Sequence, residues 1–359
     1  MEETKILGAG ISGLTAAINL ARSGGKVRIF EMGKSVGMRF CQNFQGLRYI
    51  YMAPEKFMAK MGVRPKIAYH YFTKARIITR KRDITLDLRG GGLMPFVQRG
   101  GEGSLEHALC LEALDAGVEI EFSSNKGAAD AKIIASGSSG MPDFAALGSV
   151  FEESDFPRDT YLAMFDDRYS PKGWYSYMIP VSRDEVEFVT CVSRRFIPQL
   201  AKLHAKALSE RKEIAEIVGG KRKTGSFGGS SCMRVPKSAF VGGKYYVGEA
   251  AGFQDPYMGF GIAYAIRSGN AAAKAIAEGK DYDALWKAEF LRYLEKDVAY
   301  RLPLSVFGDR MAEMVMSKYS DGQRVDFSSA LPEKTPAYQA AVGAAYLLER
   351  AKFWLTKDW

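Results

Sequence analysis

The stretch near the amino terminus that decides the fold reads Thr4-Lys5-Ile6-Leu7-Gly8-Ala9-Gly10-Ile11-Ser12-Gly13. The apolar residues 4–7 predict a buried parallel strand. The glycines then permit a tight turn and a close approach of the backbone to a pyrophosphate, at the start of a helix over residues 12–22. The predicted contacts to a dinucleotide come from Gly8, Ala9, Gly10, Ser12 and Gly13.

A carboxylate ends the second predicted strand. Residues 26–30 form that strand, and Glu31 follows it directly. A carboxylate at this place accepts hydrogen bonds from the adenosine ribose hydroxyls, and its charge disfavours a ribose 2′-phosphate. Strand, glycine turn, helix, strand and acid in this order therefore predict a dinucleotide other than NADP.

A second glycine-rich segment lies far along the chain. It reads Val247-Gly248-Glu249-Ala250-Ala251-Gly252 and continues to Pro256, Gly259-Phe260-Gly261 and Ser268-Gly269. Residues 244–247 predict another buried strand, and residues 259–277 predict a helix whose small side chains permit close packing. Together the two segments indicate FAD, held at both ends by one folded unit.

This second segment resembles the GDAAG…P…GxGI…A…SG segment of the geranylgeranyl reductase family, within the larger group that includes the aromatic hydroxylases. The resemblance implies that Glu249, after Gly248, contacts the ribityl chain. It also implies that backbone N–H groups of Gly259, Gly261 and Ile262 approach the pyrimidine edge of the isoalloxazine. Glu249 stands where the family has Asp, which moves the carboxylate by about 1.5 Å.

Two further matches concern the cofactor. Residues 131–137 resemble the strand and turn that close the FAD domain in this family, which implies cofactor contacts from Ala135 and Gly137. Arg99, shortly before a helix predicted to follow Ser104, resembles the family's arginine that touches the cofactor. The alternative for Arg99 is a cation on the surface.

Cys41 is the candidate catalytic residue. It resembles the reductases' cysteine shortly after the second strand, which reaches the reacting face of the flavin and would position an alkene or help deliver a proton. The family's glycine after the cysteine is Gln42 here. Arg39 is predicted to face the pyrophosphate or the ribityl chain. The alternative for Cys41 is a buried, inert thiol.

An aromatic segment carries the candidate substrate residues. Gly173-Trp174-Tyr175-Ser176-Tyr177-Met178-Ile179-Pro180 resembles the YxWxFP segment that lines the substrate cavity of prenyl reductases, and also the WxWxIP motif of flavin-dependent halogenases. Tyr177 takes the tryptophan position and Ile179 the phenylalanine position. The implied substrate contacts are Trp174, Tyr175, Tyr177, Ile179 and Pro180. The alternative is an ordinary core strand.

These patterns predict an α/β fold with a Rossmann-like FAD-binding domain of the glutathione reductase and p-hydroxybenzoate hydroxylase type, an inserted antiparallel β-sheet substrate domain and a C-terminal helical segment. The predicted domains are a discontinuous FAD-binding domain (1–50, 99–140, 240–285), a substrate domain (51–98, 141–239) and a helical region (286–359). Residues 336–359 predict an amphipathic helix that packs on the body or, alternatively, rests on lipid headgroups.

Composition excludes several classes. Four scattered cysteines form no CxxC pair, and three histidines lie far apart, so we expect no metal site and a reducing, cytoplasmic location. The net charge of +9 is spread along the chain, which argues against nucleic acid and leaves an anionic membrane surface or an acidic electron donor open.

Three functions fit these patterns. The first is an FAD-dependent reductase of isoprenoid C=C bonds, acting on a hydrophobic substrate such as a membrane-lipid precursor. The second is a flavin-dependent monooxygenase or halogenase. The third, kept open by Gln42 and Glu249, is a flavin-binding lipid carrier without turnover. Because no second GxGxxG is present, either NAD(P)H binds transiently or a ferredoxin-like protein supplies electrons.

Overall fold

The computed structural model describes residues 3–40, 42–89, 94–124, 129–138, 140–152, 155–182, 184–325, 343–344 and 347–348. The chain divides into two compact units, each assembled from separate segments. Unit 1 comprises Met1–His70, Pro95–Met141 and Ser231–Leu294, and unit 2 comprises Tyr71–Met94, Pro142–Ser230 and Glu295–Trp359. Residues 51–70 thus belong to unit 1, whereas the sequence grouped them with the substrate domain. The predicted helix over 336–359 lies outside the described residues, apart from four of its positions.

The strands, in chain order, are β1 (Thr4–Leu7), β2 (Val27–Phe30), β3 (Phe44–Gly46), β4 (Lys74–Thr79), β5 (Asp83–Asp87), β6 (Phe96–Gln98), β7 (Glu119–Glu121), β8 (Ile133–Ile134), β9 (Phe144–Glu152), β10 (Thr160–Phe165), β11 (Ser176–Pro180), β12 (Glu185–Ser193), β13 (Lys223–Ser231), β14 (Phe240–Val241) and β15 (Lys244–Tyr246).

The α-helices are α1 (Ile11–Arg22), α2 (Pro54–Lys60), α3 (Leu105–Asp115), α4 (Leu200–Glu210), α5 (Lys212–Val218), α6 (Ile262–Glu278), α7 (Tyr282–Trp286), α8 (Arg292–Phe307) and α9 (Asp309–Met316). Short 3₁₀ turns cover Arg194–Gln199 and Gly248–Ala251, and a π turn covers Lys287–Leu291.

Unit 1 contains the parallel sheet that the glycine motifs predicted. Its strand order is β14-β15-β8-β1-β2-β7, and the neighbouring pairs from β15 to β7 are parallel. Ile6 pairs with Ile29 on one side and with Ile133 on the other, and all three are fully buried. The carboxyl ends of β1, β2, β8 and β15 therefore meet at one edge, where open α/β sheets bind their ligands.

Helices α1 and α6 pack closely because small residues line their contact. A Cβ atom built on Gly269 would lie 2.4 Å from the carbonyl oxygen of Ser12. No side chain larger than glycine fits there. This contact joins the helix after β1 to the helix that follows β15, so the two glycine-rich segments of the sequence belong to one folded unit.

Unit 2 is built on a seven-stranded sheet in the order β13-β9-β12-β11-β10-β4-β5. The β9–β12, β12–β11, β11–β10 and β4–β5 pairs are antiparallel. The expectation of an antiparallel sheet is wrong at one place, because β4 and β10 pair in parallel with Ile77 opposite Ala163. The chain between them includes β5, residues 95–141 of unit 1 and β9, which is long enough for the crossover that a parallel pair requires.

Helices α4 and α5 cover one face of this sheet. Leu162, Met178 and Phe188 form one hydrophobic cluster with Ala207 of α4 and Ile214 of α5. Directly opposed residues share a face of an antiparallel pair. The other face therefore carries Tyr177 opposite Val189 and Ile179 opposite Glu187.

His204 anchors α4 to the helix-covered face. Its side chain is buried, with Nε2 2.9 Å from the Ser149 hydroxyl and Nδ1 3.0 Å from the Thr190 hydroxyl. Burial, assisted by the nearby charge of Lys223, lowers the pKa of His204 to about 4. The imidazole is thus neutral in the folded protein at physiological pH.

This lowered pKa predicts a loss of stability in mild acid. Between pH 6.5 and 4 the unfolded chain binds a proton at His204 and the folded protein does not. The free energy of unfolding should therefore fall by roughly 3 kcal/mol more in the wild type than in His204→Gln. Urea unfolding of the wild type and of His204→Gln at a series of pH values measures this difference. Equal slopes in wild type and His204→Gln would contradict the prediction.

Candidate functional site

The first glycine turn is too crowded for side chains. Gly8 has a φ of +101°, and a Cβ on it would lie 2.4 Å from the carbonyl oxygen of Ala135. A Cβ on Gly13 would lie 2.1 Å from the carbonyl oxygen of Gly8. Gly10 is the N-cap residue of α1 and provides no side-chain cap, and the first turn of α1 contains no acidic residue. The free N–H groups of this turn suit an anion such as a pyrophosphate.

Glu31 is fixed beside this turn by the backbone. The Ala9 N–H donates to its Oε2 at 2.7 Å, and the Gly33 N–H donates to its Oε1 at 2.7 Å. A carboxylate oxygen accepts more than one hydrogen bond, so both oxygens can still accept from ribose hydroxyls. The backbone contacts thus orient the carboxylate and leave its predicted role available.

The second glycine-rich segment packs against the first. Gly248 has a φ of +57°, and its N–H donates to the Ser268 hydroxyl at 2.9 Å. A Cβ on Gly248 would lie 2.7 Å from the hydroxyl oxygen of Ser12, which places Ser12 against this turn. Gly259, with a φ of +83°, precedes the start of α6. Gly261 begins α6 without a side-chain cap, and Ile262 is buried as its first residue.

Two of the predicted cofactor residues, Arg39 and Gly261, lie next to Glu249, and a third, Gly137, lies next to Arg39. The Arg39 Nη2 lies 3.5 Å from Glu249 Oε2, and a Cβ on Gly137 would lie 3.8 Å from Arg39 Nη1. A Cβ on Gly261 would lie 4.0 Å from Glu249 Oε1. Within the described part of the chain, the buried Oε2 of Glu249 accepts no hydrogen bond. An acceptor in this position suits a hydroxyl of a ribityl chain.

Arg99 is a buried cation and not a surface one. Its Nε donates to Glu106 Oε1 at 2.5 Å, and its Nη1 donates to Gln45 Oε1. The guanidinium carbon lies 4.0 Å from the centre of the Phe40 ring. Both members of the ion pair are buried. The predicted contact of Arg99 with the cofactor stays a prediction.

Sequence reasoning missed the residues that hold the loop before α6. Asp255 is fully buried and pairs with Arg48, while its Oδ1 accepts from the N–H groups of Tyr257 and Met258. The guanidinium of Arg48 also lies 4.3 Å from the centre of the Tyr49 ring. The signal in the sequence was an acid directly before Pro256, a common turn former.

Cys41 lies outside the described residues, so its catalytic role stays a prediction. Gln42, directly after it, has a φ of +56°, in the left-handed region that favours glycine. The resemblance implied a glycine at this place. Gln42 therefore adopts a backbone conformation that glycine favours, at the position where the resemblance implied a glycine.

Gln42→Gly should consequently stabilise the protein. Relief of the left-handed strain outweighs the flexibility that glycine adds to the unfolded chain, so we expect a gain of about 0.5–1 kcal/mol. Gln98→Gly in β6, where φ is not positive, should lose stability instead. Urea unfolding of the two variants measures both effects. A loss of stability in Gln42→Gly would show that the Gln42 side chain makes compensating contacts.

The aromatic segment forms the end of one loop and strand β11. Trp174 is buried, with its ring centre 4.6 Å from that of Phe144 and 4.1 Å from the guanidinium carbon of Arg301. Tyr175 and Tyr177 are half-buried, with ring centres 6.1 Å apart. Ile179 and Pro180 are buried at the end of β11. Burial raises the pKa of Tyr177 well above its ordinary value.

No group of three or more histidine, cysteine, aspartate or glutamate side chains among the residues that the structure describes is arranged to hold a metal ion. None of the helices described is both long and apolar enough to cross a membrane.

Comparisons with known proteins agree with this geometry. A family model described as an NAD(P)-binding Rossmann-like domain matches residues 6–52. No curated protein matches the chain in sequence. A geranylgeranyl bacteriochlorophyll reductase-like protein from Thermoplasma acidophilum superposes with a TM-score of 0.73 at 18% identity, over 98% of this chain and 99% of that one.

Two other solved structures are similar. The flavoprotein/dehydrogenase from Cytophaga hutchinsonii has a TM-score of 0.61 at 16% identity, over 89% of each chain. The flavin-dependent halogenase CmlS has a TM-score of 0.61 at 16% identity, over 99% of this chain and 77% of that one. The chain has the fold of the FAD-dependent oxidoreductases.

The predicted flavoprotein fold is thereby confirmed. FAD is the cofactor that this fold supports, and the chain's own residues fit it. The glycine turn at β1 has free N–H groups, Glu31 lies at the end of β2, and the acceptor of Glu249 lies near the start of α6. The structural neighbours include both a reductase-like protein and a halogenase.

Proposed function

We propose that the protein is an FAD-dependent reductase of isoprenoid carbon–carbon double bonds, with a hydrophobic lipid precursor as its substrate. The observation that carries the proposal is the similarity to the geranylgeranyl bacteriochlorophyll reductase-like protein. Of the three structures compared above, it has the highest TM-score, and the superposition covers nearly all of both chains. The resemblance of β11 and its preceding loop to the prenyl reductases' substrate segment supports the same reaction.

The chain's own residues would hold FAD along its whole length. The N-terminus of α1 binds the pyrophosphate, and Glu31 accepts from the adenosine ribose. Glu249 accepts from the ribityl chain. The uncapped N-terminus of α6 favours negative charge at the pyrimidine edge of the isoalloxazine. When bound and reduced, the flavin would supply the hydride for alkene reduction.

The substrate side of the reaction needs a dry, apolar environment. An unactivated alkene is a poor hydride acceptor, so water must be excluded and the double bond held in place. Tyr177 and Ile179, on the sheet face opposite α4 and α5, supply apolar surface of this kind. Cys41 would position the alkene or help to deliver the proton that the second carbon requires. Electrons come from NAD(P)H or from a ferredoxin-like protein in this proposal.

The test is anaerobic. Purified protein reduced with dithionite is mixed with geranylgeranyl lipids, and flavin reoxidation is followed together with the mass of the lipid. Reoxidation without oxygen, with a gain of one H₂ per reduced bond, is the expected result. If reoxidation requires oxygen for every lipid, the proposal fails in favour of an oxygenase. If lipids bind but are never reduced or oxygenated, it fails in favour of a carrier.

The second candidate is a flavin-dependent monooxygenase or halogenase. The observation that favours it is the similarity to CmlS, together with the resemblance of β11 to the halogenases' WxWxIP motif. Both tryptophans of that motif are tyrosines here. Oxygen consumption by the reduced protein, measured with and without substrate and halide, tests this candidate directly.

A further inference from the structure

Glu187 is a buried acid in the middle of β12. Its side chain is fully buried, and neither carboxyl oxygen has a hydrogen-bond partner among the described residues. Its cross-strand neighbours are Ile179 on one side and Val150 on the other, both apolar. Burial raises the pKa of Glu187 well above its ordinary value. Because an ionised carboxylate without a partner is strongly unfavourable in apolar surroundings, the buried carboxyl is expected in its neutral form.

The surroundings of Glu187 on this sheet face are apolar and aromatic. Tyr177 lies diagonally across the strand pair, a spacing that an aromatic side chain can reach. Next along β12 on this face is Val189, opposite Gly148. A Cβ on Gly148 would lie 2.3 Å from the ring of Phe227, so glycine makes room for that ring over the sheet.

An acid in such a place weakens the fold. A buried polar group without a partner is unfavourable, and a leucine of similar volume would pack better. Strongly perturbed titratable groups of this kind concentrate at functional sites. The same face carries Tyr177 and Ile179, which the resemblance to prenyl reductases implied as substrate contacts.

We propose that Glu187 is the polar anchor of a lipid site on this face, donating a hydrogen bond to an uncharged oxygen of an otherwise apolar ligand. A hydroxyl or ether oxygen fits this role, because either accepts a hydrogen bond without bringing charge into the apolar surroundings. A diphosphate headgroup does not fit, because its charges would have to be desolvated beside an acid. The prenyl identity of the ligand rests on the proposed function; the anchoring role of Glu187 rests on the geometry of unit 2.

The probes are phytanol, a saturated isoprenoid alcohol, and phytane, its hydrocarbon counterpart. The wild-type holoprotein should bind phytanol about tenfold more tightly than phytane, which corresponds to about 1.4 kcal/mol. Glu187→Leu should remove this preference, leave phytane binding unchanged and raise the urea midpoint of unfolding. The matched control Glu185→Gln, on the same strand, should keep the preference.

Infrared spectroscopy of the wild type, with Glu187→Gln to assign the band, gives a second readout. The wild type should show the carbonyl band of a buried carboxylic acid, absent from Glu187→Gln, and phytanol should shift it. Phytane and geranylgeranyl diphosphate should not. A band that phytanol leaves unshifted, or a Glu187→Leu variant that still prefers phytanol, would overturn the proposal. Tighter binding of the diphosphate than of phytanol would overturn the uncharged ligand class.

Both probes are saturated, so their binding does not depend on the reductase reaction. A protein that binds phytanol through Glu187 but never reduces an alkene would refute the proposed function and leave the anchor intact. A wild-type protein that reduces alkenes but binds phytanol no more tightly than phytane would refute the anchor and leave the proposed function intact.

Discussion

Gly13→Val is expected to yield a colourless protein, with flavin content below about a tenth of the wild-type value. A Cβ at this position would lie 2.1 Å from the carbonyl oxygen of Gly8 and 3.0 Å from the Cβ of Ala135. Backbone cannot move aside there without opening the turn between β1 and α1. The same clash should reduce the free energy of unfolding by roughly 3–5 kcal/mol. Absorbance of the bound flavin relative to protein, with urea unfolding, measures both effects.

Gly10→Ala separates loss of the cofactor from loss of the fold. A Cβ on Gly10 meets only the Ala135 carbonyl oxygen, at 4.0 Å, so the turn should tolerate it. The added methyl would nevertheless stand at the N-terminus of α1, where the pyrophosphate is expected. We therefore expect a folded protein with weakened FAD binding. Full flavin content in Gly13→Val would show that the cofactor is held elsewhere, and would remove the basis of the proposed function.

The glycine turns could be predicted from the sequence because their physics is local. A positive φ at Gly8 and the absence of room at Gly13 are dictated within a few residues and one neighbouring strand. The part of the candidate cofactor site that depends on these glycine turns could therefore be predicted from the sequence. The positive φ of Gln42 could not be predicted in this way, because glutamine stands where the family has the glycine that favours such a backbone.

Features that depend on distant pairing could not be predicted. The parallel contact of β4 with β10 depends on how the chain returns to unit 2 after residues 95–141, which no local pattern encodes. The burial of Glu187 could not be predicted for a similar reason. An acid within a β-strand ordinarily suggests a solvated face, and only the complete sheet shows that the Glu187 side chain is buried.

Glu106→Leu is expected to lower the free energy of unfolding by about 3–5 kcal/mol, because it leaves the Arg99 guanidinium buried without its carboxylate. The double variant Arg99→Leu/Glu106→Leu removes both charges together. It should recover most of that loss, since apolar side chains pack well where a buried ion pair was. Urea unfolding of the two variants beside the wild type gives the comparison. A double variant as unstable as Glu106→Leu would show that Gln45 and Phe40 depend on the arginine for their own packing.

The double variant also decides what Arg99 does for the cofactor. If Arg99 only neutralises Glu106, the repaired protein should bind FAD as tightly as the wild type. If Arg99 also donates to the cofactor, as the family resemblance implies, the repaired protein should fold normally and lose FAD affinity by about tenfold, the equivalent of one charge-assisted hydrogen bond. Flavin titration of the refolded apoprotein distinguishes the two outcomes. Because fold and affinity change independently in this variant, a structural role cannot be mistaken for a binding one.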